Sequence, residues 1–222
     1  MKQIIFSLSI ICGCLACGTA PKSTELRLLD CYARFLEDES SLMAEATFRR
    51  GPTAAEAQPA EMPGGIAYNN TAMSVKSQTG LTYAIKQQNS GVPAHTFSWK
   101  NARNESQAFV MPMPAMSDFQ FDKSPLSLGQ PAQLRWKGPQ MGADETLVLL
   151  WDNEQHGTVT MQVSGATLQN AIDFPAAELR KLKPGEWSLY LVRKKVSRGT
   201  VDGIEARGVA EFYSATKRFT VK

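Results

Sequence analysis

The chain has 222 residues, 43% of them hydrophobic and 20% charged, with a formal net charge of +3. That apolar fraction excludes an intrinsically disordered chain. So small a basic excess, scattered along both halves, excludes an electrostatically driven nucleic-acid binder, and the length leaves room for one large domain or two small ones.

Met1-Lys2 is a short basic start, and Ile4 to Ile11 is an apolar stretch broken only by Ser7 and Ser9. Small residues and three cysteines, Cys12, Cys14 and Cys17, follow. A basic start, a short apolar run and a small-residue zone are the parts of an export signal. The run falls short of the ~20 apolar residues a spanning helix needs. With a small residue before a cysteine, the segment resembles a bacterial lipoprotein signal, which implies lipidation of that cysteine after removal of what precedes it. Cys17 follows Leu15-Ala16 and leaves a signal of ordinary length; Cys14 follows Ile11-Cys12-Gly13 and is the alternative anchor. The expected division is therefore a signal at 1–16 and a lipidated tether at 17–23. Gly18 after the anchor, with no acidic cluster beyond it, implies an outer-membrane protein facing the periplasm. With Cys17 as anchor, Cys31 is the only thiol left and reads as a small buried hydrophobe. With Cys14 as anchor, a Cys17–Cys31 bridge is conceivable.

The rest of the chain alternates apolar and polar residues, the mark of half-buried strands. Leu42, Ala44, Ala46 and Phe48 share a face, as do Leu81, Tyr83 and Ile85, and then Phe97 and Trp99. Gly51-Pro52, Pro63-Gly64-Gly65, Asn69-Asn70, Gly80 and Gly91 punctuate them, while Thr53 to Glu61 reads as a loop. Short strands at this spacing predict a sandwich or barrel over 24–110. The Pro/Met run 111–117 reads as an apolar linker packing in an interdomain seam. Over 118–222 the alternation continues through Phe119 and Phe121, Leu134 and Trp136, Thr146 to Trp151, Val159 to Val163, and Trp187 to Leu191. Ala176 to Leu182 predicts one short helix, and Asp202-Gly203 a turn. The expectation is an all-β chain with two tandem immunoglobulin-like sandwiches.

Leu182-Lys183-Pro184-Gly185-Glu186-Trp187-Ser188-Leu189 resembles the corner of fibronectin type III and related sandwiches, with Trp187 in place of tyrosine. In organisation the whole chain resembles uncharacterised lipoproteins of Bacteroidota-type bacteria that carry such domains. That resemblance brings no catalytic residues with it.

The most site-like segment is Asp152-Asn153-Glu154-Gln155-His156. In an extended strand Asp152, Glu154 and His156 share a side and offer a divalent ion two carboxylates and an imidazole; the same residue types also make a plain turn. Trp151, beside them at a strand end, is the tryptophan placed to face a ligand, whereas Trp99, Trp136 and Trp187 read as core. His95, alternating with Phe97 and Trp99, either lines an aromatic site for a sugar or peptide or ends a strand beside the core. Arg193-Lys194-Lys195 and Arg198 read as a charged edge strand, with an anionic surface as the other possibility. No nucleophile elbow, dinucleotide fingerprint or phosphate loop occurs, so neither catalytic residues nor cofactors are assigned. The function expected is a non-catalytic envelope lipoprotein presenting its sandwiches to a protein or glycan. The alternative is a metal-binding protein or metal-dependent hydrolase using the Asp152–His156 loop.

Overall fold

The computed structural model describes residues 25–76, 81–88 and 91–222. The export signal, Cys14, Cys17 and the tether therefore lie outside the described residues. The chain is all-β and sandwich-like. Its first half holds β1 (Leu26–Leu36), β2 (Ser41–Gly51), β3 (Gln58–Pro59), β4 (Ala67–Tyr68), β5 (Thr71–Ala72), β6 (Ser74–Lys76), β7 (Thr82–Gln88), β8 (Ala94–Lys100) and β9 (Ser106–Pro112). Its second half holds β10 (Ser117–Phe121), β11 (Ala132–Lys137), β12 (Glu145–Asn153), β13 (Gly157–Ser164), β14 (Ala171–Phe174), the helical turn α1 (Ala176–Leu179), β15 (Gly185–Val201), β16 (Ile204–Tyr213) and β17 (Lys217–Val221).

A ten-stranded sheet runs through both halves in the order β13-β12-β15-β16-β1-β2-β7-β6, with β17 also on β15 and β3 on β2. The 17-residue β15 is its spine. Along Ser188–Lys195 one of its edges pairs with β12; the other edge pairs with β17 along Gly185–Leu189 and then with β16 along Val192–Val201. Asp202 and Gly203, both at positive φ (49° and 68°), close the β15–β16 hairpin with the twist a two-residue turn requires. That hairpin reaches into the first half, where β16 lies parallel to β1 from Leu28↔Glu205 to Leu36↔Tyr213. The large sheet thus does not end at 111–117. Met111 and Pro112 belong to β9, and Met111, Met113 and Met116 are buried.

Two smaller sheets, β5-β4-β8-β9 and β10-β11-β14, complete the layers. The first buries Tyr68, His95, Phe97, Trp99, Phe109 and Met111. Opposite them the large sheet turns Leu29, Cys31, Ala33 and Phe35 inward from β1, and Ala206, Ala210 and Phe212 from β16. The second contributes Phe121, whose ring stacks on Trp151 and meets Phe219 edge-on at centroid distances of 5.8 and 5.4 Å. Cys31 is buried and free, and burial together with neighbouring Asp30 pushes its thiol pKa well up.

The basic run corrects its sequence reading. Over Arg193–Lys195 β15 lies between β12 and β16 rather than at an edge, so the lysines there guard nothing; β12 ceases to flank it only beyond Lys195, where Arg198 stands. Arg193 is fully buried, donating to Glu145 Oε2 and to the carbonyls of Pro139 and Gln140. Lys195 reaches Glu145 Oε1 at 3.0 Å, while Lys194 points the other way, 3.9 Å from Glu211.

Candidate functional site

The β12–β13 turn and the strand ends beside it form a polar cleft of about 520 Å³. Asn153 builds its floor. Its Oδ1 accepts the backbone N–H groups of Gln155 and His156, both at 2.8 Å, and its Nδ2 donates to the Glu186 carbonyl at 2.7 Å. A side-chain amide that folds its own turn and ties it to a neighbouring strand leaves that turn little freedom. Gly157, at φ 74°, lets the chain reverse into β13. Asp152, Glu154 and Gln155 line one wall, and Glu186, Ser188 and Arg218 from β15 and β17 line the other. Three carboxylates thus share the cleft with one guanidinium. Glu186 is held by the Thr220 hydroxyl at 2.6 Å, and Asp152 accepts from the Thr158 hydroxyl at 3.1 Å.

The sequence-predicted residues divide here. Asp152 and Glu154 do line the cleft, but Asp152, Glu154 and His156 do not converge on one point. Among the described residues no three His, Cys, Asp or Glu side chains are grouped to hold a metal ion. The turn breaks the extended geometry that would have aligned them, and the His156 ring stacks on Trp187 at 6.2 Å instead. Trp151 corrects its sequence reading: it is fully buried between Phe121 and Phe219 and cannot face a ligand. It shares the inward face of β12 with Leu147 and Leu149. Trp187 is buried too, and its indole N–H donates to the Lys183 carbonyl at 2.8 Å, a contact that ties the Pro184-Gly185 turn to its strand.

His95 is likewise no surface residue. It is fully buried in β8, with Nδ1 hydrogen-bonded to the Tyr68 hydroxyl and Nε2 without a partner. Burial pushes its pKa down to about 4, so it is neutral at ordinary pH.

A second cleft, of about 590 Å³, opens where the two halves meet. Phe35, Phe212, Val92, Met113 and Met116 give it an apolar floor, with Glu37 and Lys137 among its polar groups. The Pro/Met run was its only sequence signal. In the polar cleft, Glu186 and Ser188 were legible as the residues alternating with buried Trp187 and Leu189. Arg218 was not, because it arrives through the long-range pairing of β17 with β15. No known family model matches the chain, and neither does any curated protein sequence.

Proposed function

We propose that this is a non-catalytic, lipid-anchored protein of the cell envelope, built as two immunoglobulin-like sandwiches in tandem that share a sheet. It binds a glycan in the polar cleft beside the β12–β13 turn. The observation that carries this reading is the cleft itself: a rigid turn held by Asn153, with carboxylate, amide, hydroxyl and guanidinium groups on opposing walls. Such groups match the many donors and acceptors of a hydroxyl-rich ligand, and the excess of carboxylates favours neutral or amino sugars over acidic ones. The lipid would hold the domains at the membrane surface, where a high local concentration makes a weak contact sufficient.

Titration calorimetry against neutral and amino-sugar oligosaccharides tests the site. Binding is expected in the wild type and is lost in Asp152→Ala/Glu186→Ala; a wild type that binds none of them ends the glycan reading. Anchoring is tested separately by fatty-acid labelling. Cys17→Ser should abolish label and release the protein from membranes, whereas loss only in Cys14→Ser would move the anchor there.

A protein partner is the second reading, favoured by the apolar cleft where the halves meet. Pull-down from detergent-solubilised envelope should then retrieve a partner that Pro93→Glu/Lys137→Glu no longer holds.

A further inference from the structure

β13 is an outer edge of the large sheet. It pairs with β12 without register shift from Thr146↔Ser164 to Asn153↔Gly157, and among the described residues no strand pairs with its other side. Its eight residues, Gly157-Thr-Val-Thr-Met-Gln-Val-Ser164, contain no charge and no proline. An open edge of this kind is a template for another strand, and natural sheets ordinarily guard it with lysine, proline, a bulge or brevity. The opposite edge of the same sheet is guarded in that way. β6 has three residues and ends in Lys76, and the two-residue β3, paired to β2, carries Pro59.

Two further observations fall at the same place. Met161 is buried, but Val159 and Val163, which share its inward face, pack against the core while staying only partly covered. Just past the strand, Leu168 is 99% exposed. It stands on a loop fixed by the Thr167 N–H on the Met141 carbonyl and the Met141 N–H on the Thr167 hydroxyl.

We propose that β13 is a self-association edge, on which two copies of this chain pair antiparallel, β13 to β13, about a two-fold axis. A second copy fits because an uncharged strand meets no repulsion from itself, and a two-fold contact uses the same patch twice. The antiparallel sense follows from charge. It sets each copy's turn, with Asp152 and Glu154, against the other's uncharged 165–170 loop, whereas a parallel pair would bring the acidic turns together. Leu168 then lies toward the partner's turn, and the added strand covers Val159 and Val163. An eight-residue edge buries less than a standard interface of about 1,600 Å², so the dimer is concentration-dependent in solution. The inference is independent of the lipid anchor and of any ligand in the cleft.

The test is sedimentation velocity of the whole chain in detergent over a range of concentrations. Wild type, Thr160→Lys/Gln162→Lys and Leu168→Asp carry the same anchor, so sharing of micelles affects all three alike. Thr160 and Gln162 are exposed, so the lysines leave the core untouched and crowd like charges across the two-fold. Concentration-dependent dimers are expected for the wild type, with association weakened at least about tenfold in each variant. Should the lysine pair fail to melt like the wild type, Leu168→Asp, on an exposed loop, decides alone. A wild type that stays monomeric at its highest soluble concentration overturns the proposal, and so does association that both variants retain.

Discussion

His95 occupies the core with one ring nitrogen on the Tyr68 hydroxyl and the other unbonded, so the fold accepts only its neutral form. Its pKa stands at about 4 in the folded chain, against roughly 6.5 when unfolded. A lowered histidine pKa stabilises the fold fully above pH 6.5, and that stability is lost as pH falls toward 4. Between pH 7.5 and 4.5 the wild type should therefore lose about 2–3 kcal/mol more than His95→Gln, read from urea midpoints at the two pH values. Equal losses would show that His95 does not titrate in that window. The buried Arg193–Glu145 pair makes a different demand. Glu145→Ala leaves a guanidinium in the core with the Pro139 and Gln140 carbonyls and the Trp136 ring but without its carboxylate, which should cost about 3–5 kcal/mol. Glu145→Leu/Arg193→Met removes both charges and should cost less than Glu145→Ala alone. Denaturant melts of the two variants separate a stranded charge from a net stabilising bond.

At the scale of elements, β9 packs closely on β16 at Gly208. A Cβ on Gly208 would overlap Met111 Sδ and lie 2.9 Å from the Phe109 ring. Gly208→Ala should destabilise by about 1–3 kcal/mol. Combined with Met111→Ala, its cost should fall below the sum of the single effects, since the two share one space; strict additivity in chemical melts would place the strain elsewhere. The elements themselves were largely legible, because alternation such as Phe97 and Trp99, or Leu147, Leu149 and Trp151, is written in adjacent residues. The same alternation already put Trp151 on the buried face. Asp152 points outward as the next residue of the same alternating strand, and Asn153 ends that strand at the turn. The length of β15 was hidden, since Arg193-Lys194-Lys195 interrupts the apolar pattern. The strand continues because Glu145, nearly fifty residues earlier, receives both Arg193 and Lys195. A partner at that separation leaves no local trace, and the polar cleft was half visible for the same reason: its β12–β13 wall is contiguous, while Arg218 comes from the last strand.

For the whole molecule, the decisive contact is the parallel pairing of β1 with β16. It gives the first half's sheet two strands that the chain makes only after residue 184. Without them the inward side chains of β1, Leu29, Cys31, Ala33 and Phe35, would lose their neighbours Ala206, Ala210 and Phe212. Phe109 and Met111 would face water where β16 now covers them. Fully burying one large apolar side chain contributes about 1.5–3 kcal/mol, and whole domains are stable by only about 5–15 kcal/mol. Losing several such contacts removes most of that margin. A fragment of residues 25–117 should accordingly give a poorly dispersed amide spectrum, although it holds the whole β1–β9 segment. The hairpin of the complementary fragment 118–222 would lose the same contacts. The intact chain should unfold in one calorimetric transition, because neither half can melt without stripping the other's strands. Two resolved transitions, or a well-dispersed spectrum from the 25–117 fragment, would show instead that the shared hairpin only decorates a first half already able to fold.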